Sequence, residues 1–293
     1  MHPIVEYWPY VNLAARYRHD SDPTNNDPDD YININLRKWH PEAIGIHEVM
    51  CGIGNPETVF HLDNGNYSRE LADKNPLNPY SYVIELDDRI IVAHLGTRNN
   101  ADMLTNFTGA ISGAVRNINP LIKKDDKHGC HDSYWNQGVE TFKTLLPWIR
   151  HAKASGKYIA QTAHSKGCGR AAVVARLAVE YGFPRPLTML YSPPPMWTKD
   201  GAKKYWNLGL GECTYSAISG GDIVSKASMF GYYRHCGMII QLPDVSGNFA
   251  DIPLVGEHAY STVNNELIVF CRKNMKDEEG ARYLESRAYV SVC

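Results

Sequence analysis

The sequence predicts an α/β fold, a mostly parallel central sheet with helices on both faces, and three observations carry that expectation. From residue 81 onward, short β-rich runs alternate with segments of helical periodicity, the pattern of strands joined by helical crossovers. The chain has 293 residues with 43% hydrophobic and 21% charged side chains, enough for one large core and ordinary for a globular protein. No apolar run approaches the ~20 residues of a membrane span.

The elements follow in order. Residues 81–86 and 89–95 are two β-rich runs separated by Asp87-Asp88, a hairpin signal. Trp135, Val139, Phe142, Leu145, Leu146 and Ile149 recur at helical spacing, so 133–152 reads as an amphipathic helix ended by Gly156. Residues 157–162 form a short strand. Residues 167–181 form a second helix with Ala171, Val174, Ala175 and Ala178 on one face. Three more strands are expected at 187–191, 214–218 and 238–242. Residues 1–75 are rich in Asn, Asp, Pro and Tyr and read as an irregular N-terminal extension wrapped around a core spanning 80–265, all within a single domain. Residues 19–30 (HDSDPTNNDPDD) form a turn-rich surface loop.

Composition removes several function classes. The formal net charge is −2, which gives no basic field for nucleic acid. Lys123, Lys124, Asp125, Asp126 and Lys127 cancel one another as a solvated loop. The seven cysteines are odd in number and irregularly spaced, so free thiols in a reducing compartment are expected rather than a disulfide framework. The opening MHPIVEYWPY has neither the basic nor the apolar region of a signal peptide. A cytoplasmic location is the expectation. His128, Cys130, His131 and Asp132 are metal-type ligands, but too tightly spaced to wrap one ion and without a second pair nearby. No metal is expected, and no phosphate-cradling or dinucleotide loop calls for a cofactor.

The segment from Tyr158 to Ala172, YIAQTAHSKGCGRAA, carries the chemistry. At its centre Ala163-His164-Ser165-Lys166-Gly167 is a small-x-Ser-x-Gly pentapeptide between an expected strand and an expected helix. Such a turn needs small neighbours because strand and helix crowd it, and it lifts the serine hydroxyl clear of the sheet edge. The N–H of the next residue, Lys166, then faces a developing oxyanion, with the positive end of the helix beneath it. The alternative is a serine that merely N-caps the helix.

Over residues 80–265 the chain resembles the class 3 lipase family of α/β-hydrolases. His94-Leu95-Gly96-Thr97-Arg98 and Asp102-Met103-Leu104-Thr105-Asn106-Phe107 resemble the family's Arg-Gly-Thr turn and its acidic sequel. His131-Asp132-Ser133-Tyr134 resembles a His-x-Gly-Phe segment before the long helix. The pentapeptide is the third match. Gly221-Asp222-Ile223-Val224 and Tyr233-Arg234-His235-Cys236-Gly237 are the fourth. Ala163 stands where the family has glycine, Leu95 where arginine is common, Met103 for Trp and Ile223 for proline, the marks of a remote member.

The resemblance implies an α/β-hydrolase fold and a serine hydrolase whose triad runs Ser, acid, His along the chain. Ser165 is the expected nucleophile. Asp222, after the run at 214–218 and the turn Ser219-Gly220-Gly221, is the favoured acid, with Asp200, Asp244 and Asp251 as competitors. His258, with Tyr260 two residues on, resembles the family's base, and His235 resembles a non-catalytic histidine. Thr97 closes the run at 89–95 and offers an N–H and a hydroxyl to the oxyanion beside the Lys166 N–H. Segment 98–118, with Met103, Leu104, Phe107, Ile111 and Val115, reads either as a mobile lid or as a packed helix. The expected substrate is a lipid or other carboxylic ester, and a membrane or lipid aggregate is the surface such an enzyme meets. A thioesterase or amidase with the same triad, and a non-catalytic protein on a hydrolase scaffold, are the rival readings.

Overall fold

The computed structural model describes residues 1–11, 45–50, 80–94, 128–219, 232–244 and 257–287, together with Gly96, Asp222 and Ser225. They build one seven-stranded sheet whose spatial order is the order of the chain. The strands are β1 (Gly45–Met50), β2 (Tyr80–Glu85), β3 (Arg89–His94), β4 (Tyr158–His164), β5 (Leu187–Tyr191), β6 (Thr214–Ile218) and β7 (Met238–Gln241). The first three pair antiparallel, and β3 through β7 are parallel. The hairpin expected around Asp87-Asp88 is the β2–β3 connection, closed by the Leu86 N–H donating to the Arg89 carbonyl at 2.9 Å.

Each parallel step moves one place in the same direction. Right-handed crossovers then put the crossover helices among the described residues on one face. Those helices are α2 (Asp132–Ser155), α3 (Lys166–Glu180) and α4 (Lys199–Asn207). Their apolar residues, among them Phe142, Leu145, Val174 and Tyr205, share one core with Ile90, Val92, Ala163 and Leu190 of the strands. In α2, the His131 ring accepts from the Ser133 N–H at 3.1 Å at the start, and Gly156 ends the helix at a φ of 70°.

The opposite face needs its own cover, and the two ends of the chain supply it. A short helix α1 (Pro3–Glu6), followed by a further turn from Trp8, joins α5 (Glu257–Phe270) and α6 (Glu278–Arg287). Ile4, Trp8, Val263, Leu267 and Leu284 pack there on Tyr82, Ile91, Ala160, Met189 and Tyr191. So short a helix leaves carbonyls without helical partners, and hydroxyls from its surroundings donate to them. Tyr191 donates to the Ile4 carbonyl at 2.7 Å, Tyr283 to Glu6 and Thr162 to Tyr7. The Trp8 indole N–H donates to Asn264 Oδ1 at 2.8 Å, and Arg89 donates to Glu6 at 2.6 Å.

The extension expected over 1–75 therefore contributes a buried segment and strand β1, and the core runs past 265 through α6. The reason is topological: the described crossover helices lie on one face, and the chain ends help cover the other. The turn-rich stretch 19–30 lies outside the described residues.

Candidate active site

Parallel strands deliver their following loops to one edge of the sheet; Ser165 directly follows β4 at that carboxyl edge and Asp222 comes after β6. Ser165 stands between the last residue of β4 and the first of α3, with φ 51° and ψ −124°. A non-glycine residue at positive φ costs on the order of 1–3 kcal/mol, held in place by its surroundings. The Ser165 N–H donates to the Tyr191 carbonyl of β5, and its own carbonyl accepts from the Cys168 N–H, both at 3.0 Å. The Cys168 thiol lies 3.3 Å from the Ala163 carbonyl and 3.4 Å from that of Tyr191. Burial raises the pKa of this thiol well above its ordinary value, so it serves as a neutral brace.

An N-capping serine has extended backbone and its hydroxyl bonded to the helix. Ser165 has neither, for its side chain makes no cap hydrogen bond. Small residues in α3 allow the close approach that the turn requires. A Cβ on Gly169 would lie 2.3 Å from the Tyr134 ring, and one on Gly138 would lie 2.4 Å from Val173, so α2 and α3 nearly touch.

Two buried histidines flank this edge. His94 ends β3, opposite Ala163 of β4. Its Nδ1 is 2.9 Å from Ser81 Oγ and its Nε2 is 2.9 Å from Gln161 Oε1, while Gln161 Nε2 donates to the Ala171 carbonyl. A carbonyl only accepts, so the amide orientation is settled and Nε2 must carry the imidazole proton. Burial, and Arg170 nearby, push the His94 pKa down to about 3. His164 meets the Trp8 indole edge-on at 6.1 Å, and burial lowers its pKa to about 3 as well. Both rings are neutral near pH 7.

Asp222 follows β6, half-buried, and its Oδ2 accepts from Ser225 Oγ at 3.1 Å. β5 separates β4 from β6, so Ser165 follows one strand and Asp222 comes after the next but one. Of the competing acids, Asp200 is exposed in the first turn of α4 and Asp244 is exposed after β7. Asp251 lies outside the described residues. His235 Nε2 is 2.8 Å from the Ser225 carbonyl, so this ring belongs to the turn holding Asp222.

His258 is the second residue of α5, and its side chain is not among the described groups. Thr97 and the lid segment 98–118 also lie outside the described residues. Lys166 opens α3, its side chain buried at 2% exposure.

One supporting residue escaped the sequence reading. Glu266 of α5 is wholly buried and accepts from Ser219 Oγ at 2.8 Å just past β6. It thereby ties the helix that bears His258 to the strand that precedes Asp222. The available signal was a carboxylate beside the apolar run Leu267-Ile268-Val269-Phe270. Within the His128–Asp132 segment, His128 stacks on Trp135 at 4.0 Å and His131 caps α2. Among the described residues no group of three or more His, Cys, Asp or Glu is placed to hold a metal ion.

Comparison with solved structures places this sheet and its layers. A nonglycosylated LIP2 lipase of Yarrowia lipolytica aligns over 81% of this chain and 79% of its own, with TM-score 0.54 and 15% identity. A fungal lipase–inhibitor complex aligns over 88% and 92%, with TM-score 0.56 and 13% identity. The fold is that of the α/β-hydrolase lipases. A triacylglycerol lipase whose catalytic centre is a serine protease triad aligns over 83% and 80%, with TM-score 0.52 and 13% identity. Another Lip2 structure from Y. lipolytica, at TM-score 0.45 and 19% identity, aligns over 57% of this chain and is spanned over 63% of its own length. By sequence, no family model and no curated protein matches the chain. At 13–15% identity, what this chain shares with these lipases is the fold.

Proposed function

We propose that this protein is a serine hydrolase of carboxylic esters acting through an acyl-enzyme, with Ser165 as nucleophile, His258 as base and Asp222 as acid. The observation that carries the reading is the Ser165 backbone: positive φ, a strand-to-helix turn at the carboxyl edge of a lipase-type sheet, and a hydroxyl that caps nothing. Strain maintained at a reactive side chain is a property of sites rather than of cores.

In this reading His258 takes the Ser165 proton as the hydroxyl attacks the ester carbonyl, and Asp222 holds the imidazolium. The N–H of Lys166 and the N–H and hydroxyl of Thr97 receive the oxyanion, and the N-terminus of α3 adds its positive end to the same charge. The alcohol leaves with the proton from His258, and water then frees the acid by the same route. A lipid or other carboxylic ester is the substrate we assign, met at a membrane or aggregate surface.

The same reading sets the chain in a reducing, cytoplasmic compartment as one domain. The free thiols of Cys130, Cys168, Cys213, Cys236 and Cys271 support that setting. No helix among the described residues is long and apolar enough to cross a membrane.

The test is covalent labelling with a fluorophosphonate probe beside hydrolysis of a short soluble ester. The native protein should be labelled and active, and Ser165→Ala should lose both while keeping its melting temperature. A native protein that neither takes up the probe nor turns over ester would make the chain a non-catalytic scaffold.

A further inference from the structure

We propose that Ser225 and His235 are positioning residues for Asp222, forming a two-link chain that holds one carboxylate oxygen so that the other faces the catalytic histidine. The inference rests on the reading of Asp222 as the acid.

The chain begins at a fixed post. Arg234, next to His235, exchanges backbone hydrogen bonds with Trp197, donating at 2.7 Å and accepting at 3.1 Å. On the other side, the Cys236 carbonyl accepts from Ser216 Oγ of β6 at 2.7 Å. Trp197 and Cys236 are both fully buried. His235 is therefore held from both neighbours, and its Nε2 reaches the Ser225 carbonyl at 2.8 Å. That carbonyl only accepts, so Nε2 carries the proton and Nδ1 presents a lone pair. The lone pair is buried and has no hydrogen-bond partner among the described residues. Burial lowers the His235 pKa, which favours the neutral ring.

Ser225 is the second link. It is buried at 2% exposure, and its hydroxyl lies 3.1 Å from Asp222 Oδ2 and 3.4 Å from the Asp222 carbonyl. One hydroxyl proton serves the charged oxygen at the shorter distance. A carboxylate has about four acceptor directions, and a half-buried one that must point a single oxygen at an imidazole needs the other oxygen held. The order is thus post, ring, backbone carbonyl, hydroxyl, carboxylate.

The experiment measures kcat, KM, fluorophosphonate labelling rate and melting temperature for the full chain and for Ser225→Ala, His235→Ala, His235→Gln, the Ser225→Ala/His235→Ala double variant and Asp222→Asn, with a short soluble ester. Ser225→Ala and His235→Ala should each lower kcat and labelling about 10-fold, the scale of one hydrogen bond to a charged group, with KM within about twofold. The double variant should lose no more than the worse single one, because both break one chain. His235→Gln should return to within about twofold of native, since its amide nitrogen stands where Nε2 stood. The low-field imidazole N–H resonance of the acid–histidine pair should shift in Ser225→Ala and not in His235→Gln.

Additive losses, or His235→Gln as slow as His235→Ala, would overturn the proposal, as would full kcat in Ser225→Ala. If His235→Ala does not fold, Ser225→Ala and His235→Gln decide. Should Asp222→Asn itself keep native turnover, the assignment of the acid falls and the positioning role with it. Should Asp222→Asn abolish turnover while Ser225→Ala and His235→Ala keep it, only the positioning role falls.

Discussion

The two buried neutral histidines make stability fall in mild acid by an amount that follows from the structure. His94 and His164 are fully enclosed, each with its pKa lowered from 6.5 to about 3. In the unfolded chain both return to about 6.5. Between those values the unfolded state binds a proton that the native state refuses, so stability is whole above pH 6.5 and declines as pH drops toward 3. From pH 7 to pH 5 each ring costs about 2 kcal/mol, about 4 kcal/mol together, a large share of an ordinary folding free energy.

The assay is urea unfolding from pH 7.5 to pH 5. His94→Gln should remove about 2 kcal/mol of the decline, whatever it does to stability at pH 7, because its slope vanishes with the ring. In the native protein the His94 ring should keep its Nε2–H tautomer and show no titration down to pH 5. A His94 resonance titrating near pH 6.5, or a His94→Gln variant with the full native decline, would refute the reasoning.

Other outcomes follow from particular contacts. Trp8→Ala should destabilise by about 3–5 kcal/mol through the cavity, with a further loss from the stranded Asn264 amide oxygen, measured by urea unfolding; a change below about 1 kcal/mol would mean the N-terminal segment is not part of the core. Gly169→Ala puts a methyl against the Tyr134 ring and should cost about 1–3 kcal/mol, seen as a lowered melting temperature, whereas unchanged stability would mean α2 and α3 are farther apart. Asp222→Asn should keep the fold and lower kcat by roughly 10⁴-fold, while Asp244→Asn should stay near native in the same ester assay; equal losses would point to a different carboxylate.

The local part of this architecture is written in the sequence. Alternation and helical spacing from residue 81 onward marked β2 through β7 and the helices α2 and α3, because each amphipathic segment carries its own buried face. The turn at Ser165 was legible for a related reason: small residues on both sides of a serine, between strand and helix, are a local steric requirement. What local pattern does not encode is which surface meets which. The burial of Ile4, Val5 and residues 7–11 depends on the described crossover helices α2, α3 and α4 sharing the opposite face. The Trp8–Asn264 hydrogen bond joins residues 256 positions apart. Strand β1 lacks clean alternation, and its pairing with β2 settles it. The chain does not show which partners His94, Glu266, Ser225 and His235 meet, for a hydrogen bond that orients a buried side chain is a property of its partner's position. Only the tertiary structure brings those partners within 3 Å of one another, because desolvation and hydrogen bonding act through space and not along the chain.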